Sequence, residues 1–144
     1  AAGVRGISIS GNDEVIGMIT VENESEDILV VSEKGYGKRS LIQDYRIIRR
    51  GGKGVKTMNV TDKTGDLIAL KGVTDQDDIM IITRKGLTIR LSVVEMRVLG
   101  RATQGVRLIN LKKDDHIAAI AYAESNGDDE IEDAQVDDNS TEEQ

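Results

Sequence analysis

The sequence contains no cysteine, proline, tryptophan or phenylalanine, and it has three tyrosines and a single histidine. Without cysteine, the chain forms neither disulfides nor thiolate metal sites. Without proline, its fifteen glycines must supply the tight turns. Aliphatic residues without large aromatics favour many short, thin sheets over one thick sandwich. The length of 144 residues favours one domain.

Targeting and membrane-spanning segments are also missing from the sequence. The start, Ala1-Ala2-Gly3-Val4, has neither the charged nor the apolar region of a signal peptide. No apolar run approaches the roughly 20 residues that a helix needs to cross a bilayer. The chain does not begin with Met, so we expect a processed or excised piece of a longer protein.

The residues that most often carry catalysis do not form a recognisable set. His116 has no second histidine with which to share a metal, so a structural role is favoured. The acidic pairs Asp77-Asp78 and Asp114-Asp115 precede aliphatic strands, which indicates turn chemistry rather than acid–base catalysis. We therefore predict no active site, no metal site and no cofactor in this chain.

What the sequence does contain is an internal repeat with a period of 51 residues. The dipeptide Gly-Val begins at positions 3, 54 and 105, and no gap is needed between residues 27 and 55. Basic residues recur with the same period: Lys34, Arg39, Arg46 and Arg50 match Lys85, Arg90, Arg97 and Arg101. A fixed period of this length is typical of propellers and solenoids.

Each repeat is predicted to contain about four short strands. Continuous aliphatic runs at 28–31 and 79–82 are followed by a glycine turn and a second strand, which predicts a β-hairpin in each unit. Further strands are predicted at 15–21, 55–60, 67–70, 106–111 and 117–121. The fold class is therefore all-β, a propeller-like repeat with two complete units and a partial third. Tyr36 and Tyr45 align with Leu87 and Met96, which favours packing.

Charge is divided unevenly along the chain. All 19 Lys and Arg lie within residues 1–123 together with 16 of the 26 acidic residues, so this part carries +3 and residues 124–144 carry −10. We predict that 124–144 is a disordered acidic tail, because its composition does not offset chain entropy. A purely solubilising role for it remains open.

The most basic segment, residues 46–56, combines arginines and lysines with three glycines. Glycines let a phosphate approach the backbone, where amides donate and flanking cations neutralise charge. A glycine-rich turn with incidental surface charges explains the composition equally well. A nucleotide P-loop does not fit, because Gly54 follows Lys53 where Ser or Thr is needed.

Four segments, taken together, resemble a known family. They read Gly-Val-Arg-Gly-Ile from residue 3, Lys-Gly-Tyr-Gly-Lys-Arg from 34, Arg-Arg-Gly-Gly-Lys-Gly-Val from 49 and Gly-Arg-Ala-Thr-Gln-Gly-Val from 100. This pattern resembles the C-terminal domain of the DNA gyrase A subunit over about residues 1–123, and the acidic end resembles the tail of the same protein. The family's box, Gln-Arg-Arg-Gly-Gly-Lys-Gly, is matched at 49–54, with Ile48 in place of glutamine. The box usually lies in the first blade, so another copy is expected upstream.

The resemblance implies a β-pinwheel, a ring of six four-stranded blades that exchange strands, whose rim binds and bends DNA. This chain would supply the end of one blade, most or all of the last two, and the tail. The partners implied are double-stranded DNA, the gyrase B subunit, which is a separate chain, and the rest of the gyrase A subunit, in the bacterial cytoplasm at the nucleoid. Together they form an ATP-dependent topoisomerase that introduces negative supercoils. The catalytic tyrosine, ATP and magnesium belong to other parts of that enzyme.

The expected DNA-binding residues are the box and the recurring cations. They are Arg49, Arg50, Gly51, Gly52, Lys53 and Gly54, then Lys34, Lys38, Arg39, Arg46 and Lys56, then Arg84, Lys85, Arg90, Arg97, Arg101 and Arg107. Two rival interpretations stay open. One is the similar C-terminal domain of topoisomerase IV, which usually lacks the box; the other is a non-catalytic repeat scaffold that binds acidic proteins.

Overall fold

The computed structural model describes residues 1–123, which form short strands and two one-turn 3-10 helices. The strands are β1 Asp27–Ser32, β2 Tyr36–Leu41, β3 Leu67–Val73, β4 Asp78–Thr83, β5 Thr88–Ser92, β6 Val106–Arg107 and β7 Ile117–Tyr122. The helices, Ile42–Asp44 and Val93–Glu95, follow β2 and β5. The all-β prediction is confirmed, whereas the predicted tail at 124–144 lies outside the described residues.

The two hairpins repeat with the period of the sequence. β1 pairs antiparallel with β2 from Asp27 opposite Leu41, and β4 pairs with β5 from Asp78 opposite Ser92, 51 residues on. Each turn contains a glycine with positive φ, 90° at Gly35 and 88° at Gly86, a conformation that glycine adopts without steric cost. Both predicted hairpins are therefore confirmed.

The third strand of each unit lies on the other side of the first. β3 pairs with β1 and β7 pairs with β4, and both ladders shift register near the end of the hairpin's first strand. Ser32 lies opposite Leu67, and Thr83 lies opposite Ile117. The segment that connects the paired residues is therefore one residue shorter in the second unit. Gly65, with φ of 67°, is the extra residue of the first unit.

The fourth strand of the first sheet comes from the second unit. The order β3-β1-β2-β6 places Val106–Arg107 against β2, with Tyr36 opposite Arg107 and Gly37 opposite Val106. The amide of Leu99 also donates to the carbonyl of Arg39 at 2.8 Å. Units of the sequence and sheets of the structure therefore have different boundaries. Among residues 1–123, the second sheet, β5-β4-β7, has three strands, and the outer edge of β5 is unpaired.

One continuous core joins the two sheets. Its buried members from the first sheet are Leu29, Val31 and Val73, and those from the second are Ile79, Ile81, Ile117 and Ile120, with Val93 and Ile109 completing it. A smaller cluster of Ile28, Val30, Tyr36 and Met58 lies on the other face of the first sheet. Because the main core draws on both units, the units stabilise each other.

Some predicted strands do not form. Residues 15–21 and 55–60 are irregular, and the strand predicted at 106–111 shortens to Val106–Arg107. Residues 55–60 correspond in the repeat to β6, which pairs with the preceding unit, and residues 15–21 correspond to β3, which pairs with the first strand of its own hairpin. A strand needs a partner for its backbone hydrogen bonds, and within the described residues neither 15–21 nor 55–60 has a paired strand beside it.

Candidate nucleic-acid interface

The loop at residues 46–56 presents five exposed cations, Arg46, Arg49, Arg50, Lys53 and Lys56. Within the described residues none of them is paired with a carboxylate. A tight turn shapes the loop, since the amide of Gly52 donates to the carbonyl of Arg49 at 3.2 Å. A Cβ on Gly52 would lie 2.5 Å from Cγ2 of Ile48, so a side chain there would displace the isoleucine.

The glycine amides of this loop are already engaged. The Gly51 amide donates to the carbonyl of Gly6 at 2.9 Å, and the Gly52 amide donates within the turn. The hydroxyl of Ser8 also donates to the Gly51 carbonyl at 2.7 Å, so residues 6–8 hold the loop at Gly51. In this conformation the amides of Gly51 and Gly52 therefore already have acceptors and do not face a phosphate site. The loop offers its side-chain charges instead.

The hairpin turns carry a second, repeated set of cations. Lys34 and Lys85 are both exposed, and each ammonium donates to a backbone carbonyl across the turn, at Asp62 (2.5 Å) and Lys113 (3.0 Å). Because the same contact holds both side chains, the two units present a lysine in the same way. Arg84 is exposed beside the second turn, and Arg97 is exposed after the second 3-10 helix.

Lys38 is buried, with 1% of its surface exposed. Its ammonium donates to the carbonyl oxygens of Gly100, at 2.7 Å, and Arg101, and it lies 3.4 Å from the Thr103 hydroxyl. Burial, followed by the charge of Arg101, lowers the pKa of Lys38 to about 8. In this position Lys38 contacts the 100–104 loop of the next unit rather than a ligand.

Arg39 is also buried, at 8% exposure, and each of its three guanidinium nitrogens donates a hydrogen bond. Nε donates to Asp27 at 2.6 Å, and the other nitrogens donate to the Val93 carbonyl at 2.9 Å and to Asp75. Burial and these contacts make Lys38 and Arg39 inaccessible to a phosphate in this conformation, unlike the exposed cations of the expected DNA-binding set. Arg90, the repeat equivalent of Arg39, pairs with Asp78 but is exposed.

Arg101 joins the basic loops of the two units. Its Nε donates to the carbonyl of Asp44 at 3.1 Å and its Nη1 to that of Lys56 at 2.5 Å, which leaves the side chain half-buried. The structure thereby brings the loop at 100–104 against the end of the 46–56 loop. Arg101 therefore positions these loops through two of its guanidinium nitrogens.

A basic concavity lies where β2 meets the strand from the second unit. Arg107 donates through Nη2 to the hydroxyl of Tyr36 at 2.9 Å, and Lys63 lies 5.5 Å from the centre of the same ring. Tyr36 packs as predicted, at 7% exposure. Sequence reasoning missed its hydroxyl and Lys63, because Lys63 follows Asp62 in a turn outside the basic segments.

Two kinds of feature are absent from residues 1–123, clusters of metal-binding side chains and helices that could cross a membrane. No group of three or more His, Asp or Glu side chains is placed there to hold an ion. The backbone amide of His116 donates to the Asp115 carboxylate at 2.9 Å, as part of a turn. In the same residues, no helix has the length and apolar character to cross a membrane.

Comparison with known sequences identifies a protein family and relatives that this chain resembles. The chain matches the family described as "DNA gyrase C-terminal domain, beta-propeller" over residues 1–22, 26–73 and 77–123. The DNA gyrase A subunit of Staphylococcus aureus strain MRSA252 is 43% identical over 147 aligned residues, which cover 100% of this chain and 17% of that protein. The same protein from strain NCTC 8325 is 43% identical over 131 residues, covering 90% and 15%. The chain thus spans about a sixth of the length of these curated relatives.

Solved structures share the fold. A DNA gyrase A C-terminal domain has a TM-score of 0.64 and 23% identity, covering 69% of this chain and 34% of that one. The C-terminal domain of a DNA topoisomerase IV has a TM-score of 0.78 and 18% identity, covering 85% and 38%. The present chain therefore has the architecture of part of a larger blade array.

Proposed function

The chain belongs to the family of DNA gyrase C-terminal domains, and from this premise we propose that it binds and bends duplex DNA through cations repeated on successive units. One observation carries the proposal. Lys34 and Lys85 are held in the same way in both units, and the exposed cations of the 46–56 loop have no carboxylate partner among the described residues.

Such cations suit a phosphate backbone better than bases. Each Lys or Arg that neutralises a phosphate releases condensed counterions, which gives affinity that depends on salt and not on sequence. Cations at fixed intervals on successive sheets favour DNA that curves to meet them, because a bend brings more phosphates into reach. The proposed surface comprises Lys34, Arg46, Arg49, Arg50, Lys53, Lys56, Arg84, Lys85, Arg90, Arg97 and Arg107.

In the whole enzyme, this surface would wrap DNA next to the part that breaks and rejoins it. We infer an ATP-dependent type IIA topoisomerase made of both gyrase polypeptides, acting on the chromosome in the bacterial cytoplasm. ATP, magnesium and the catalytic tyrosine would belong to other parts of that assembly. This chain would bend the DNA around the enzyme, and the direction of that bend would determine the sign of supercoiling.

Two other interpretations make different predictions. The TM-score of 0.78 favours a topoisomerase IV domain, but the arginine–glycine box at 49–54 and the match to the gyrase family favour gyrase. A scaffold for acidic proteins would use the same cations, but it would neither bind duplex DNA nor bend it.

The test is titration of the chain with two duplexes of equal length and unrelated sequence, at several salt concentrations, with dyes at the DNA ends. We expect equal affinities, a steep salt dependence and an increase in energy transfer as the ends approach. Binding to acidic proteins but not to duplexes would establish the scaffold. Strong preference for one sequence would overturn backbone recognition.

A further inference from the structure

The concavity beside Tyr36 has a volume of about 270 Å³, and no Asp or Glu lines it. Its polar lining consists of Lys34, Tyr36, Lys63, Arg107 and Asn110. Within the described residues, none of its three cations forms an ion pair. Three positive charges around one uncompensated space attract an anion, and the field is strongest where the walls exclude water.

The tyrosine hydroxyl adds a directed donor to this space. It accepts a hydrogen bond from Arg107, so its own proton remains to be donated, and no acceptor for it is found among residues 1–123. The hydrogen bond from Arg107, with the charges of Arg107 and Lys63, lowers the pKa of Tyr36. A more acidic phenol is a better donor to a negatively charged oxygen.

The concavity depends on strand exchange between the units. Tyr36 on β2 and Arg107 on β6 are register partners, and the amide of Leu108 donates to the Gly35 carbonyl at 2.8 Å just beside them. A Cβ on Gly35 would lie 2.8 Å from the Ile109 carbonyl, so only glycine permits this close approach. The backbone therefore fixes the positions from which the two side chains reach the space.

The second unit does not repeat this arrangement. Leu87 stands where the first unit has Tyr36, which removes the hydroxyl. Lys63 and Asp114 are both the third residue of a four-residue turn, closed by Thr64 N to Thr61 O at 3.2 Å and Asp115 N to Lys112 O at 3.1 Å. A carboxylate thus replaces the ammonium. The described residues contain one such concavity, in contrast to the repeated lysines of the hairpins.

We propose that this concavity binds one backbone phosphate of duplex DNA, with Lys63 and the Tyr36 hydroxyl as contacts beside Arg107 and Lys34. The proposal rests on the proposed function, and it adds one concave phosphate site, the anchor, to a surface of exposed cations. A phosphate oxygen accepts from the phenol and from Arg107, and Lys63 neutralises its charge. The anchor sets where the duplex lies on the first unit.

The test compares Lys63→Gln with Lys71→Gln in the complete 144-residue chain. Lys71 is a matched control, since its ammonium lies 5.0 Å from the ring centre of Tyr122 but lines no part of the concavity. We expect Lys63→Gln to lower the slope of log affinity against log salt by about 0.9 and Lys71→Gln to leave it unchanged. Tyr36→Phe keeps the ring and removes no cation, so it should weaken binding at an unchanged slope.

Direct observation comes from 3-fluorotyrosine incorporated at Tyr36, Tyr45 and Tyr122, with fluorine resonances assigned by single Tyr→Phe variants. Saturating duplex should shift the Tyr36 resonance and leave that of Tyr122 in place. If the duplex binds and Tyr36 does not respond, the anchor is wrong while the proposed function stands. If the unsubstituted chain shows no salt-dependent binding, both are wrong. An equal shift with inorganic phosphate at the same phosphate concentration would overturn the assignment to duplex DNA.

Discussion

Arg39 and Asp27 form a buried ion pair across β1 and β2, with Nε 2.6 Å from Oδ2 and both side chains 10% exposed. The same pair recurs 51 residues later as Arg90 and Asp78, also at 2.6 Å, but with side chains 41% and 27% exposed. The difference is that Arg39 also donates to the Val93 carbonyl of the second unit and to Asp75, which lies in the turn between β3 and β4. Arg39 therefore links two units, whereas Arg90 links two strands of one hairpin.

This difference predicts unequal losses of stability. Arg39→Ala leaves Asp27 buried without its partner, which costs about 3–5 kcal/mol of unfolding free energy in comparable pairs. Arg90→Ala is the matched control and should cost less than about 1 kcal/mol, because solvent screens the exposed pair. Urea denaturation followed by circular dichroism measures both. Equal losses would show that Arg39 does not link the units.

Lys38 predicts a specific dependence of stability on pH. Its pKa is about 8 in the folded chain, against an ordinary value of 10.5. Between these values the unfolded chain binds a proton that the folded chain does not, so unfolding free energy rises with pH by at most about 1.4 kcal/mol per unit. Below about pH 8 both states are protonated and this contribution is flat.

The measurement is the difference in unfolding free energy between the unsubstituted chain and Lys38→Met, from pH 7.5 to 9.5. The difference should increase in favour of lysine as pH rises, since methionine does not titrate. Taking the difference removes the contributions of other lysines and of the tyrosines. A difference that is constant with pH would mean that Lys38 has an ordinary pKa in the fold.

Sequence patterns predicted the hairpins but not the partners of the outer strands. Residues 28–31 and 79–82 specify strands by themselves, because an aliphatic run next to a glycine turn pairs with its own neighbour. Residues 55–60 were also predicted to form a strand, and they remain irregular among the described residues. A strand that pairs with another unit depends on where that unit lies, which a local pattern does not contain.

Most cations of the candidate site are exposed as the sequence led us to expect, but the burial of Lys38 and Arg39 was not predicted. Lys38 aligns with Ile89 in the repeat, and that aliphatic equivalent was a signal of an inward-facing position. The burial of Arg39 was harder to predict, because its partner Asp27 lies 12 residues earlier in the sequence and meets it only when the hairpin forms. Lys63 and the Tyr36 hydroxyl meet only through the fold, so no spacing in the sequence connects them.

The exposed box predicts loss of binding without loss of stability. Arg49, Arg50 and Lys53 are exposed and unpaired among the described residues. Changing all three to alanine should weaken binding equally for different duplex sequences, and lower the salt slope by about 0.9 for each phosphate that is no longer neutralised. Fluorescence anisotropy at several salt concentrations measures this, with urea denaturation as the control for folding. A loss confined to one duplex sequence would contradict backbone recognition.

The acidic end of the chain predicts competition with DNA. Residues 124–144 carry ten carboxylates and no Lys or Arg, and this prediction rests on sequence alone, since they lie outside the described residues. A tethered polyanion can reach an effective concentration in the roughly millimolar range near the cations of the same chain. Deleting 124–144 should therefore tighten duplex binding, and more at low salt, where screening is weakest.

Two variants separate charge from chain length in this competition. One lacks residues 124–144, and the other keeps the length but replaces each Asp and Glu of the segment with Asn or Gln. Both should bind the duplex more tightly than the unsubstituted chain at low salt, and the three affinities should converge at high salt, because screening removes the attraction. If only the deletion tightens binding, the segment acts by occupying space. If neither does, it is a solubilising terminus, and the cations of residues 1–123 meet DNA without competition from their own chain.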